Sequence, residues 1–283
     1  RLCGPLCDSL LEVVNLDTAS PPGQEILERL EQANLFLIPL DDNRRWYRYH
    51  HLFADFLREH LAQTAEPDVV ASLHRRASRW LESNHLITEA VNHSLAAGAT
   101  SEATRLVEHV LIDSLTSGEV TTVLNWLDAL PDQLIKTRPR LSLGKGWALL
   151  ITNRWDQVEP SLEDAETALV ELKPGDPELS QGWSDTEIKG MWGEVAAMRA
   201  MVYGSRGDAQ EAIKLCEQAL QQLPPENATV RGIILMTLGN AHEVAGDLRK
   251  ASQAHAEAVA ICRSTGDIIE DITPTTTLAP IKN

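Results

Sequence analysis

The chain has 283 residues, of which 43% are hydrophobic and 23% charged, proportions that are ordinary for a folded globular protein and exclude long disorder. No run of about 18 apolar residues occurs, so the sequence predicts no membrane-spanning segment. The formal charge is -16 and no basic stripe interrupts the acidic excess, which argues against direct binding to a nucleic-acid backbone.

The cysteines and the first residues indicate the cellular compartment. Four cysteines, Cys3, Cys7, Cys216 and Cys262, are too few and too scattered for a disulfide framework, so we expect reduced thiols and a cytoplasmic location. The start at Arg1 has no methionine, charged n-region or apolar h-region, so we expect no signal peptide and a fragment of a longer protein.

Most of the chain has the apolar periodicity of helices, and residues 35–49 are the exception. The apolar run 35–40, the polar turn 41–43 and the aromatic arm 44–49 predict a β-hairpin. Predicted helices over 24–33 and 51–62 flank this hairpin. The arrangement is typical of a winged helix, here truncated at its N-terminus.

Three further helices are predicted after the winged helix. The first starts at Pro67 and carries Leu73, Ala77 and Leu81 on one face, and the others cover 89–97 and 101–111. We therefore divide this part of the chain into the C-terminal part of a winged-helix domain, residues 1–63, and a helical connector, residues 64–113.

An internal repeat dominates the rest of the sequence. Gly207-Asp208 and Gly246-Asp247 are 39 residues apart, and each pair is followed four residues after its aspartate by an alanine. Asn153-Arg154-Trp155 occupies the same frame. Small residues at fixed places allow helical hairpins to stack, so residues 114–273 predict a tetratricopeptide-like (TPR-like) α-helical solenoid. Residues 274–283 lack helical periodicity and are expected to be disordered or an addition to the native chain.

Motifs for catalysis or metal binding are not found. There is no G-x-x-x-x-G-K-[ST] phosphate loop, and Gly144-Lys145-Gly146 lies in an apolar helical stretch that predicts a tight helix crossing. Cys3 and Cys7 have no second ligand pair nearby, and no nucleophile motif occurs. We expect no metal and no catalysis by this chain.

The segment from Trp46 to Phe53 concentrates aromatic, arginine and histidine side chains where a strand leads into a helix. One interpretation is structural: the aromatic rings pack the hairpin and His50 caps the helix. The other is functional: His50 donates a hydrogen bond from a helix N-terminus toward an anion outside the chain.

Residues 46–58, WYRYHHLFADFLR, closely resemble a hallmark of the large ATP-dependent LuxR-type regulators, the MalT-like family. Residues 73–81 and 89–98 continue the resemblance. It implies a mainly α-helical protein in which a STAND-type ATPase module precedes the winged helix. It also implies repeats that sense an inducer and a C-terminal helix-turn-helix that binds DNA.

The resemblance also implies a role for one histidine. Tyr49-His50-His51 is similar to the Met-His-Asp motif of STAND ATPases, whose histidine touches the β-phosphate of ADP. We therefore expect His50 to sense the nucleotide in the longer protein. No cofactor is expected in this fragment, whereas ATP or ADP is expected in the longer protein, which would self-associate when activated.

For the sensor we expect an effector groove on the first helices of successive hairpins. The candidate groove residues are Trp147, Trp192, Arg199, Tyr203, Asn240 and His242. The expected occupant is a small-molecule inducer or a regulatory protein. Two alternatives stay open: a TPR-like protein-interaction scaffold without a small ligand, and a repeat domain of a STAND protein with another effector end.

Overall fold

A computed structural model describes residues 1–11, 21–172 and 182–265. The chain forms two compact units, Arg1–Leu130 and Pro131–Asn283, and each is considered by itself. The predicted boundaries at 63/64 and 113/114 both fall inside the first unit. The tail predicted over 274–283 lies outside the described residues.

The first unit begins with the winged-helix elements. These are α1 (Gly4–Leu11), α2 (Gly23–Gln32), β1 (Leu37–Pro39), β2 (Tyr47–Tyr49) and α3 (His51–Thr64). β1 and β2 are antiparallel, with Leu37 opposite Tyr49, and the predicted hairpin is confirmed. Leu2 adds a bridge to β2, because its N–H donates to the Tyr47 carbonyl (2.7 Å) and its carbonyl accepts from the Tyr47 N–H (2.8 Å).

Aromatic side chains of the second arm hold the hairpin in place. Tyr47 is fully buried and packs with Leu27 of α2 and Leu37 of β1. The Trp46 ring meets the edge of the Trp80 ring, with 6.4 Å between their centroids. The structural interpretation of these aromatic residues is therefore confirmed.

The rest of the first unit consists of α4 (Pro67–Ser83), α5 (Ile87–Ala96), α6 (Thr100–Thr116) and α7 (Val120–Ala129), and each helix packs on the next. Small side chains bring α4 and α5 together, since Ser78 Oγ donates to the Ala90 carbonyl (2.9 Å) and lies 2.7 Å from Ser94 Oγ. The Trp126 indole of α7 donates to Asn92 Oδ1 of α5 at 2.8 Å.

The second unit is a stack of helical hairpins. It contains α8 (Asp132–Thr137), α9 (Pro139–Ile151), a 3-10 turn (Trp155–Gln157), α10 (Val158–Glu171), α11 (Asp185–Ser205), α12 (Ala209–Gln222), α13 (Ala228–Val244) and α14 (Leu248–Thr265). From α9 onward each helix packs on the next, and α11 also packs on the first helices of both neighbouring hairpins, α9 and α13. This is the predicted α-helical solenoid.

The repeated Gly-Asp pair has a clear structural role. Gly207 and Gly246 adopt φ values of 81° and 83°, a conformation that favours glycine at a helix C-terminus. The following aspartates then start the second helix, because Asp208 Oδ1 accepts from the Glu211 N–H (3.2 Å) and Asp247 does the same one repeat later. Asn153 takes the glycine position in an earlier turn, with a φ of 59°. The repeated positions predicted from the sequence therefore mark the turns between consecutive helices.

The Gly144-Lys145-Gly146 stretch lies inside α9, as the sequence predicts. A Cβ on Gly146 would lie 2.9 Å from Met198 Sδ of α11, so the glycine marks a close helix crossing. Within the described ranges no group of three His, Cys, Asp or Glu side chains is placed to hold a metal. None of the described helices combines the length and the hydropathy needed to cross a bilayer.

Candidate functional site

His50 lies at the boundary between β2 and α3. It occupies the N-cap position, where its N–H donates to the Phe36 carbonyl (2.8 Å) and its carbonyl accepts from the N–H of Ala54 (2.9 Å). Its imidazole makes no capping hydrogen bond, so His50 is the N-cap residue through its backbone alone. The exposed ring instead lies against the His51 ring, with 4.4 Å between centroids.

Next to His50 lies an exposed aromatic face, formed by Phe36, Leu52, Phe53, Phe56 and Leu61. Phe36 and Phe56 are each 59% exposed and Leu52 is 67% exposed, and α3 has no buried residue. The Phe53 ring lies 5.1 Å from Phe36 and 6.1 Å from Phe56. The periodicity of this stripe predicts a helix correctly, but the described part of the chain does not cover it.

The backbone at Phe36 is strained. Its φ of 57° lies in the left-handed region, which costs a non-glycine residue about 1–2 kcal/mol. This conformation places an aromatic ring on the surface, against Phe53. Strained residues of this kind cluster at functional sites, where the strain serves the placement of a side chain.

The segment that carries the aromatic face is rich in arginine. Residues 44–63 contain four arginines and two acidic residues, in a chain whose formal charge is -16. Arg45, Arg48 and the two histidines at 50 and 51 are exposed, whereas Arg58 pairs with Asp55 on the surface of α3. The local charge therefore suits an anionic partner better than the rest of the chain does.

The candidate groove residue Trp147 is engaged inside the second unit. It is 6% exposed and its Nε1–H donates to Glu194 Oε2 at 2.9 Å. Arg140 donates to the other oxygen of the same carboxylate, Oε1, at 2.8 Å, and Glu194 itself is 3% exposed. Trp147 therefore joins α9 to α11, a role that sequence periodicity did not indicate.

Arg199 is committed in the same way. Its guanidinium donates to Glu159 at 2.7 Å and to Glu166 at 2.8 Å, both on α10. These carboxylates, with Glu166 the stronger contributor, raise the pKa of Arg199 above its usual range. The side chain holds α11 against α10.

The other candidate groove residues divide into two groups. Trp192 and Tyr203 are half-buried and share a face of α11 with Arg199. Arg199 follows Trp192 by seven residues and Tyr203 follows Arg199 by four, and both spacings return to the same side of a helix. Asn240 is exposed and His242 is 6% exposed; two residues apart, they lie about 200° apart around α13. The structure brings the α11 residues together and separates Asn240 from His242.

Comparison with known proteins identifies both ends of the chain. Residues 1–69 match the family model for the MalT winged helix domain, and residues 193–279 match the model for the MalT-like TPR region. The HTH-type transcriptional regulator MalT of Yersinia pestis (strain Pestoides F) is 30% identical over 238 residues, which are 83% of this chain and 25% of that protein. The chain is therefore a MalT-like fragment, with a MalT winged-helix domain at one end and a MalT-like TPR region at the other.

A second relative has a different effector function. The serine/threonine-protein kinase PknK of Mycobacterium tuberculosis (strain ATCC 25618 / H37Rv) is 37% identical over 169 residues, which are 60% of this chain and 14% of PknK. The chain thus spans a quarter or less of the length of these relatives. In a structural comparison, BtubC from P. vanneervenii aligns with 98% of this chain over 99% of its own length, at 14% sequence identity. Its TM-score of 0.37 is too low to establish a shared fold.

Proposed function

We propose that this chain is the regulatory part of a LuxR-type STAND transcription activator, a protein of the cytoplasm. In this proposal the winged helix relays the nucleotide state and the TPR-like repeats bind an inducer or a regulatory partner. The observation that carries the proposal is the similarity to MalT, a transcriptional regulator, over 83% of the chain, with winged-helix and TPR models matching at its two ends.

The aromatic face supports the relay. Exposed rings on α3 and a strained Phe36 form an apolar surface in an arginine-rich segment, and the next residue before α3 is His50, at the helix N-terminus. A helix N-terminus favours anions, and a histidine there can donate a hydrogen bond to phosphate. We infer that this face docks on the ATPase module of the longer protein, which binds the ATP or ADP.

Nucleotide retention in the longer protein tests the role of His50. Because ADP would lose a hydrogen-bond donor, His50→Ala should release ADP during purification and raise the basal activity. His109→Ala is the matched control, since His109 is an exposed histidine of α6 that is not part of the aromatic face. Equal ADP content in His50→Ala, His109→Ala and unsubstituted protein would refute the nucleotide-sensing role.

The repeats are proposed to shift a two-state equilibrium when an effector binds. A preference of a few kcal/mol for one state is sufficient for such a switch, so a single well-formed site can drive it. We assign no catalytic step to this chain, because the nucleotide chemistry is proposed to belong to the upstream module. In the activated state the longer protein is proposed to self-associate.

The similarity to PknK favours a second candidate. The same regulatory module is then joined to another effector, because 60% of this chain matches part of a protein kinase. The coding frame that contains this chain separates the two. A helix-turn-helix downstream supports the activator, whereas a kinase domain with no helix-turn-helix overturns the transcription role and keeps the regulatory one.

A further inference from the structure

A pocket of about 200 Å³ lies among the last three helices of the second unit. Its apolar lining comes from all three helices: Leu220 of α12, Leu235 and Leu238 of α13, and Ala254 of α14. A cavity of about 150 Å³ accommodates benzene. The volume therefore suits a single ring or a branched aliphatic group with one polar substituent.

The internal repeat shows why the space exists. Ala254 is 39 residues after Leu215, so the two residues occupy equivalent positions in successive hairpins. Leu215 is buried and fills its position, whereas alanine at 254 lacks the three outer carbon atoms of leucine. The pocket is thus a specific departure of the last hairpin from the pattern of the one before it.

His242 brings a polar group into this apolar pocket. Its side chain is 6% exposed and lines the pocket, and its ring nitrogens have no hydrogen-bond partner in the described ranges of the chain. The His242 ring nitrogens are not among the fully buried polar atoms that lack a partner, so they stay in contact with the solvent in the pocket. An imidazole always carries at least one N–H donor. A ligand acceptor in the pocket can therefore take the place of water on that donor.

The remaining polar groups line the pocket from α14. Lys250, Gln253 and Glu257 follow one another at helical spacing on the face that carries Ala254. Lys250 Nζ is 3.5 Å from Asp247 Oδ2 and its side chain is 55% exposed, so this weak pair leaves the ammonium free to turn toward a ligand. Imidazole, ammonium and amide groups all donate, whereas the exposed Glu257 carboxylate can turn into water.

We propose that this pocket binds a small carboxylic acid whose apolar body is a single ring or a branched aliphatic chain. The body packs on the leucines, and the carboxylate accepts hydrogen bonds from His242 and Lys250. This inference rests on the proposal that the repeats bind an effector, and it names the chemical class and the site. The pocket contains only one of the six candidate groove residues, His242.

Titration calorimetry on the 283-residue chain tests the pocket with defined probes. Benzoate and isovalerate represent the two apolar bodies, and benzylamine and benzyl alcohol match benzoate in size but carry a cation or no charge. We expect benzoate to bind about tenfold more tightly than benzylamine or benzyl alcohol, because charge-assisted hydrogen bonds are stronger than neutral ones.

Three variants locate the site. Lys250→Met should weaken benzoate binding about fivefold or more, whereas Lys214→Met should leave it unchanged. Lys214 is a matched control, because it is an exposed lysine of α12 in an ion pair with Glu211 three residues earlier. His242→Leu should abolish benzoate binding, and circular dichroism shows whether that buried substitution keeps the fold. If His242→Leu does not fold, the exposed substitution Lys250→Met still tests the site.

Three outcomes would overturn the proposal that this pocket binds carboxylic acids. They are no binding of benzoate or isovalerate, benzylamine binding as tightly as benzoate, and equal effects of Lys250→Met and Lys214→Met on benzoate binding. Failure of the proposed function is distinguishable from these. If the pocket proposal fails in one of these ways, binding of a different effector that survives His242→Leu would still support the proposed sensor function. The ADP content of His50→Ala tests the relay in the first unit independently of any ligand of the repeats.

Discussion

Trp147→Phe isolates one buried hydrogen bond of the second unit. The substitution keeps an aromatic ring but removes the Nε1–H that donates to Glu194 Oε2 at 2.9 Å. Glu194 is 3% exposed, so water cannot replace the lost donor, and its carboxylate keeps only the bond from Arg140. The free energy of unfolding should therefore fall.

The size of the effect follows from the charge of the acceptor. A hydrogen bond to a charged group contributes about 1.5–3 kcal/mol, and since Arg140 still neutralises the carboxylate we expect the lower half, about 1.5–2 kcal/mol. In a unit of this size each kcal/mol shifts Tm by about 2–4 °C, so Tm should fall by about 3–8 °C.

Urea unfolding followed by far-ultraviolet circular dichroism measures this loss. Trp192→Phe is the matched control: Trp192 is a half-buried tryptophan of α11 whose indole makes no hydrogen bond within the described residues. Its substitution should change the free energy of unfolding by less than about 0.5 kcal/mol. If both variants lose the same stability, the cost belongs to the smaller ring and the assigned hydrogen bond is refuted.

Three further predictions concern other parts of the chain. Burial and the neighbouring His74 lower the pKa of His93 from 6.5 to about 4, so the folded chain binds fewer protons than the unfolded chain between these values. The stabilising contribution of neutral His93 should be fully present above pH 6.5 and should fall with decreasing pH, by about 1 kcal/mol at pH 5 after allowance for partial exposure. Urea unfolding of His93→Gln should lack this contribution to the pH dependence. An unchanged pH dependence in the variant would contradict the prediction. Phe56→Ser should change the free energy of unfolding in urea by less than about 0.5 kcal/mol, because Phe56 is 59% exposed. A loss above about 1 kcal/mol would show that the ring is covered. Gly193→Ala should lower the free energy of unfolding in urea by about 1 kcal/mol, because the new Cβ would lie 3.0 Å from the backbone N of Leu223. This crowding outweighs the better helix propensity of alanine. A gain in stability would show that the two helices can separate.

Local features of the fold could be predicted from the sequence. The helix predicted over 24–33 is Gly23–Gln32, and the one predicted over 51–62 begins at His51, because apolar periodicity and turn residues determine both. The single-residue bridge between Leu2 and Tyr47 has no such signal. Pairings between residues far apart in the chain leave no local pattern.

The candidate site was less predictable for the same reason. The sequence predicts Trp147 as a groove residue, but its partner Glu194 lies 47 residues away and no periodicity connects them. His242 is predicted as a groove residue of a first helix, and the pocket it lines depends on alanine at 254, where the preceding repeat has Leu215. Comparing the two repeats position by position would have shown this difference.

A thermal-shift screen of the 283-residue chain tests the central claim, that its repeats bind an effector. The panel contains sugars, small carboxylic acids, aromatic metabolites, short peptides and nucleotides. A ligand at 100 times its Kd adds about 2.7 kcal/mol to the stability of the folded state, which shifts Tm by several degrees. We predict such a shift from a compound that is not a nucleotide. A panel that gives no shift, or a shift from nucleotides alone, would contradict sensing of a small molecule by these repeats.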